Sequence, residues 1–395
     1  MSNRWLLPEN MADILPFDAQ IVEKLRRGSL DLFSSYGYEL VIPPMFEYLE
    51  SLLTGTGSDL DLQMFKLVDQ ASGRTLGLRA DMTPQVARID AHILNREDVT
   101  RLCYAGTTLH SRILPGMFSR EQLQVGAELY GSNTWEADLE IITLMLEALH
   151  QANIGVISLD LCHAGLLKEL LTTVEAAMQQ KISVVADLYA ALQAKDRGSL
   201  IKMTQLWPDD AKKVILALLH LSGEADQVLQ EAQKILPRGA LTQQVILDLR
   251  RLCNAIKSLS PQTQLNIDLA DLDGFQYHTG VMSAAYVKDY PVAIARGGRY
   301  DQVGLAFGRS RPATGFSMDI LEVARLSQVK NSRTAISAPW SDDAALKELI
   351  AQLRVDGQVV IQELPESKIS NQGCDRRLTF ENGKWQITPI LKQSS

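Results

Sequence analysis

Ten consecutive residues, Glu121-Gln122-Leu123-Gln124-Val125-Gly126-Ala127-Glu128-Leu129-Tyr130, alternate polar with apolar types. Side chains of a strand point to opposite faces in turn. The spacing therefore predicts Leu123, Val125, Ala127 and Leu129 on a core face, with Gln122, Gln124, Gly126 and Glu128 on the other. An amide, a bare position and a carboxylate in a row are what a small polar ligand needs, with room above the glycine. A solvated edge strand has the same pattern, and the strand alone leaves both readings open. In Leu78-Arg79-Ala80-Asp81-Met82-Thr83-Pro84 a carboxylate and a hydroxyl stand where a strand feeds a helix. Asp81 is suited to a ligand ammonium group or to capping, and Thr83 to the N-cap with Pro84 at the first helical position. Phe275-Gln276-Tyr277-His278-Thr279-Gly280-Val281 reads as a strand with one histidine. Ala295-Arg296-Gly297-Gly298-Arg299-Tyr300-Asp301 pairs two glycines with Arg299 and Asp301, either an ion pair or ligand contacts.

These pieces need a scaffold. Pro16 is placed to open a helix carrying Ile21, Val22, Leu25, Leu30 and Phe33 on one stripe, closed by Gly37. Tyr38 to Ile42 reads as a strand, and Met64–Val68 with Thr75–Arg79 as a hairpin. A helix is predicted over Trp135–Ala152. From 163 to 262 apolar residues recur at helical spacing, a helical insertion. Strands are expected at Gln264–Leu269, Phe275–Val287 and Val292–Ala295, then a helix over Ala313–Leu326. Val329–Ala338 reads as a linker, followed by helix Asp342–Val355, strand Gln358–Glu363 and hairpin strands near Arg377–Phe380 and Trp385–Pro389. The expected domains are a core of 1–162 and 263–328, the insertion 163–262, and a small α/β segment 329–395.

The 395 residues carry a net charge of -8, with 46% apolar and 22% charged side chains, an ordinary globular composition. The acidic balance argues against a nucleic-acid partner, which needs a positive footprint. No run approaches the roughly 20 apolar residues of a membrane span, and no apolar leader follows Met1, so a cytoplasmic location is expected. Cys103, Cys162, Cys253 and Cys374 form no CxxC pair and read as buried thiols. No HExxH, Walker loop or GxGxxG occurs, and neither metal nor cofactor is expected.

Taken in order, the pieces resemble the histidyl-tRNA synthetases, a branch of the class II aminoacyl-tRNA synthetases. Tyr38–Glu47 with Pro44 resembles motif 1, which builds a dimer interface. Tyr104–Glu128 resembles motif 2 and the following strand, and Gly274–Met282 the histidine signature. Gly297–Asp301 followed by Gly315-Phe316-Ser317-Met318 resembles the approach to motif 3. The resemblance covers about residues 5–327. It implies an α+β fold, an antiparallel sheet flanked by helices, in which Asp81 and Thr83 hold an amino acid's ammonium end. It also implies that Gln124 contacts the ligand backbone and that Glu128 and Tyr277 read an imidazole.

The ATP-binding cations of that family are missing. The phosphate-gripping arginine of motif 2 falls at His110 and its acidic neighbour at Arg112. The arginine ahead of the signature falls near Leu272, and the motif 3 arginine at Glu322. Fixed positive charge on a departing pyrophosphate has no neutral or acidic substitute. Histidine-facing positions kept beside lost cations, with a shortened C-terminus, resemble the family of ATP phosphoribosyltransferase regulatory subunits. That resemblance implies a non-catalytic protein binding L-histidine. Its partner would be the short form of the catalytic subunit, on a homodimer within a hetero-octamer, with no tRNA or membrane. His110, Arg112 and Gly298 are candidate secondary contacts. The alternatives are an active histidyl-tRNA synthetase and a histidine-sensing paralogue with another partner.

Overall fold

Pro16 stands in the first turn of α1 (Pro16–Ser35), where its missing N–H is not needed. Gly37, at φ 84°, turns the chain out of that helix. The structure is a computed structural model describing residues 6–54, 58–113, 117–178, 182, 185–237, 239–271, 278–329, 334–365 and 373–390. Two compact units divide the chain, Met1–Val329 and Lys330–Ser395.

In the first unit the short strands β1 (Glu39–Leu40), β2 (Phe46–Tyr48), β3 (Lys66–Val68) and β4 (Thr75–Leu78) precede the long pair β5 (Thr100–Leu109) and β6 (Glu121–Tyr130). Helices α2 (Leu49–Leu53), α3 (Ser58–Gln63) and α4 (Thr83–Arg88) lie among them. After α5 (Trp135–Gln151) and β7 (Ile157–His163) comes the helical stretch: α6 (Ala164–Met178), α7 (Val185–Gln193), α8 (Arg197–Met203) and α9 (Asp209–Leu218), then, past β8 (Ser222–Glu224), α10 (Ala225–Ile235) and α11 (Ala240–Leu259). Strands β9 (Gln264–Asp268), β10 (Val281–Val287), β11 (Ala295–Arg299) and β12 (Ala313–Asp319), with α12 (Ile320–Leu326), complete the unit.

Nine strands form one sheet in the order β1-β5-β6-β12-β11-β10-β7-β9-β8, while β2-β4-β3 make a small separate sheet. Pairing is antiparallel except for β1 with β5 and β7 with β9. One face of the large sheet carries the main core. Val125, Ala127 and Leu129 from β6 meet Phe33 of α1 and Ile141, Met145 and Leu149 of α5 there. Full burial of a Val, Leu, Ile, Met or Phe side chain among these contributes roughly 1.5–3 kcal/mol relative to exposure. The second face carries a smaller cluster of Met82, Val86, Leu102, Tyr104, Tyr130 and Tyr300.

Three expectations are corrected. Ala313–Asp319 is a strand, β12, and only Ile320–Leu326 is helical. The strand expected at Val292–Ala295 starts at Ala295 and runs to Arg299, so the paired glycines lie inside it. The expected linker contains β13 (Ala335–Ala338), the central strand of the second unit. That unit adds α13 (Ala344–Val355), β14 (Val359–Gln362), β15 (Cys374–Glu381) and β16 (Lys384–Pro389), in the sheet order β14-β13-β15-β16. Ile336, Leu346, Ile350, Val360 and Leu378 give it a core of its own.

Candidate functional site

Register places the candidate residues. Gln122, Gln124, Gly126 and Glu128 of β6 pair with Thr108, Gly106, Tyr104 and Leu102 of β5. On the other side Gln124, Gly126 and Glu128 pair with Asp319, Ser317 and Gly315 of β12. Directly paired residues share a face, so all of these side chains rise on the second face of the sheet. Asp81 reaches the row from the turn before α4. Its Oδ1 accepts from Gln124 Nε2 at 2.8 Å and from the Thr83 N–H at 3.0 Å. Gln124 Oε1 in turn accepts from the Met82 N–H at 2.8 Å. Thr83 is thus the first residue of α4 rather than its cap, and Pro84 follows it. The Thr83 hydroxyl lies 3.2 Å from Tyr104 Oη.

The space over Gly126 is not vacant, which corrects the expected opening above the glycine. A Cβ there would run into the Tyr104 hydroxyl and lie 2.6 Å from the Phe316 carbonyl oxygen. Gly315 does the same for Glu128, since a Cβ would collide with Glu128 Oε2. Glycine on two adjacent strands lets a tyrosine ring and a carboxyl lie flat against the sheet. Glu128 Oε1 accepts from Tyr104 Oη at 3.1 Å, and Oε2 accepts from the Tyr300 hydroxyl. Tyr300 also lies 3.4 Å from Tyr130 Oη. A continuous hydrogen-bonded chain therefore runs from Glu128 through Tyr104 and Thr83 to Asp81. Tyr104 and Tyr300 were not singled out from the sequence. Tyr104 sits on β5 and Tyr300 just past the end of β11, and only the folded arrangement brings them to Glu128.

Burial raises the Glu128 carboxyl to about 8, with the charge of Asp81 adding to the rise and the tyrosine and threonine hydroxyls opposing it. The stability consequence has a definite sign. A carboxyl whose native pKa lies above its unfolded value of 4.5 favours the native state most at low pH. Between pH 4.5 and about 8 the unfolded chain has released a proton that the native site still holds, so stability falls across that window. Glu128→Gln should remove this component. Melting temperatures of the wild-type and variant chains from pH 5 to 8.5 should diverge in the variant's favour as pH rises; parallel curves would show that Glu128 ionises normally.

His110 follows the end of β5 and is 5% exposed. Its Nε2 lies 3.2 Å from Gln122 Oε1, while Nδ1 has no hydrogen-bond partner among the described residues. Burial lowers its pKa, which favours a neutral ring. No fixed cation therefore stands at that position. Arg112 is exposed on the following loop, outside the hydrogen-bonded group. Gly298 lies under His278, whose Nε2 is 2.8 Å from where a Cβ would be. Tyr277 and Leu272 lie outside the described residues. Glu322 accepts from the Tyr290 hydroxyl and pairs with Arg325 at 3.1 Å.

Arg79 is a second omission of the sequence reading. It is 6% exposed and donates from Nε to the Thr107 carbonyl at 2.8 Å and from Nη1 to that of Pro43 at 2.9 Å. It fastens the Pro43-Pro44 turn to β5 beside Asp81. The pair Arg299 and Asp301 is real at 3.4 Å, but Arg299 is held chiefly by Asp138, Nη2 to Oδ1 2.9 Å. Farther along the same sheet face a cavity of about 150 Å³ is lined by Asp160, Cys162, His278, Met282, Ala284 and Arg296.

The sheet and the helical core behind it define a class. A family model described as "Histidyl-tRNA synthetase" matches residues 10–323, and the second unit matches "ATP phosphoribosyltransferase subunit HisZ C-terminal domain" over 333–388. A histidyl-tRNA synthetase structure from Nostoc sp. PCC 7120 shares the fold at a TM-score of 0.77, with 16% identity, covering 98% of this chain and 97% of that one. A structure titled as an ATP phosphoribosyltransferase regulatory subunit/histidyl-tRNA synthetase from Bacillus halodurans superposes at 0.81, with 25% identity over 95% of this chain and 98% of that one. The protein is thus of the class II, histidyl-tRNA synthetase-like fold.

Curated relatives narrow this further. The ATP phosphoribosyltransferase regulatory subunit of Polynucleobacter necessarius is 54% identical over 98% of this chain and 99% of its own length. That of Cupriavidus metallidurans is 52% identical over 98% and 100%. The chain belongs to the family of ATP phosphoribosyltransferase regulatory subunits, whose name denotes a regulatory rather than a catalytic role.

Proposed function

We propose that this chain binds L-histidine on the second face of its sheet and inhibits a separate catalytic ATP phosphoribosyltransferase subunit of the short form. In this way the product of histidine biosynthesis would control its first step. The chain of contacts from Asp81 to Glu128 carries the reading. It sets an acceptor for an ammonium group at one end and a tyrosine-held carboxyl for an imidazole at the other. Asp81, Thr83, Gln124, Glu128 and Tyr277 are the proposed contacts, with His110, Arg112 and Gly298 secondary. A neutral His110 and a Glu322 held by Tyr290 and Arg325 leave a triphosphate without cations at these places, which supports a receptor without aminoacylation.

The proposed domains are the core of 1–162 and 263–328, the insertion 163–262 and the segment 329–395. The subunit is read as cytoplasmic, and no helix among the described residues is long and apolar enough to cross a membrane. Neither tRNA nor a cofactor has a part in this reading. A homodimer within a hetero-octamer is proposed through the β1–β4 region. Ile42 is 82% exposed there and Val68 69%, among ion pairs of both signs such as Arg96–Glu39 and Arg74–Glu50. Mixed charge suits a patch that must match its own copy.

Calorimetric titration of the full chain with L-histidine, alone and with the catalytic subunit, tests the reading. Saturable binding without histidine-dependent ATP–pyrophosphate exchange is expected. No histidine heat in either setting would remove the receptor claim, and exchange activity would turn the chain into a synthetase.

A further inference from the structure

A second apolar surface on the first unit lies on the strap ahead of α1 and on the first turn of that helix. Leu15 is 65% exposed and Phe17 60%, with Leu7 and Ile14 exposed beside them. Between Leu6 and Val22 the chain carries Glu9, Asp13 and Asp18 and no lysine or arginine. Arg325, which lines the groove beneath with Asp13 and Asp18, is itself paired with Glu322 at 3.1 Å. The strap is tethered. The Asn10 carbonyl accepts from the Arg120 N–H at 3.0 Å and from Ser119 Oγ at 3.3 Å, and the Met11 N–H donates to the Pro8 carbonyl at 3.2 Å. An apolar ridge already held in place loses little freedom on docking, and clustered exposed apolar side chains mark contact surfaces.

We propose that the strap, residues 6–18, is the surface on which the catalytic subunit docks, and that the partner presents an apolar groove with a basic rim. The inference rests on the regulatory-subunit reading above. Charge selects the occupant. A two-fold contact sets a patch against its own copy, so Glu9, Asp13 and Asp18 would face the same carboxylates, and like charges in apposition oppose docking. The strap also leads to the candidate site. Arg120, which holds Asn10, donates from its side chain to the carbonyls of His110 at 3.1 Å and Ser111 at 2.8 Å. The His110 ring faces Gln122. A partner seated on the strap thus connects through Arg120 and His110 to Gln122, at the end of the candidate row.

Two full-length variants test this, Leu15→Ser with Phe17→Ser, and Asp13→Lys with Asp18→Lys. Serine is a favourable residue at a helix start, so α1 should be kept. Each variant is mixed with the catalytic subunit in sedimentation and titration experiments. Affinity should fall on the order of tenfold or more in both, while the homodimer and histidine binding persist. Hydrogen exchange over residues 6–18 should slow when the partner is added to the wild-type chain. Unchanged partner affinity in both variants overturns the proposal, as does loss of the homodimer, which would make a second copy the occupant. A wild-type chain that binds no catalytic subunit overturns the regulatory reading itself, an outcome distinct from a failure confined to the variants.

Discussion

Asp81→Asn is expected to weaken L-histidine binding by on the order of 100-fold while leaving the fold intact. The arrangement around the carboxylate gives the reason. Asp81 Oδ1 is taken by Gln124 Nε2 and by the Thr83 N–H. Oδ2 has no hydrogen bond among the described residues, and in the proposed site it is the end left for the ammonium group. The carboxylate is held in place before any ligand arrives, so little ordering cost is left for binding. Asparagine keeps the oxygen that Gln124 and Thr83 need, so α4 should start as before. It also removes the charge, and in the rotamer that preserves those two bonds it turns an N–H donor toward an ammonium. With both hydrogen bonds kept, the change in stability should be about 1 kcal/mol or less. Titration calorimetry beside a melting curve separates the two effects. An affinity within about threefold of wild type would place the ammonium elsewhere and dissolve the functional assignment of Asp81.

The same site shows what a sequence discloses and what it withholds. The alternation in β6 was readable because period two depends on the chain alone, and Val125, Ala127 and Leu129 do lie in the core. What fills the space over Gly126 is Tyr104 of β5, and what holds Glu128 includes Tyr300, 170 residues from Tyr130 in the hydrogen bond they share. No local pattern encodes that pairing. β12 was read as helix because Ala313-Thr314-Gly315-Phe316-Ser317-Met318-Asp319 has few β-branched residues and runs directly into a genuine helix. Its small residues are required by its neighbours: Gly315 must admit Glu128, and strand propensity yields to that fit. β13 was lost for a related reason. Ala335-Ile336-Ser337-Ala338 is buried along its whole length, so the alternation that marks a half-exposed strand is absent.

Arg299→Met is expected to cost about 3–5 kcal/mol of stability. Arg299 and Asp138 form a pair with side-chain exposures of only 8% and 7%. Burial raises the Asp138 carboxyl even with the guanidinium beside it. Without Arg299 the carboxylate would be left in a poorly solvating interior, and the carbonyls of Ser132 and Thr134 would lose their donors at 2.9 and 3.1 Å. The variant's Asp138 would then take up a proton more readily than in the wild type. Its deficit should therefore shrink as pH falls from 7 toward 5 and widen as pH rises. The double change Arg299→Met with Asp138→Leu should recover much of the loss, because the buried carboxylate goes with its partner and only the more exposed Asp301 loses a contact. Chemical denaturation of the wild-type, single and double variants at two pH values measures all three quantities. Tyr300 follows Arg299 directly and donates to Glu128, so the single variant should also bind histidine less tightly. A deficit independent of pH and unrelieved in the double variant would mean that Arg299 acts by packing its stem rather than by holding the buried charge.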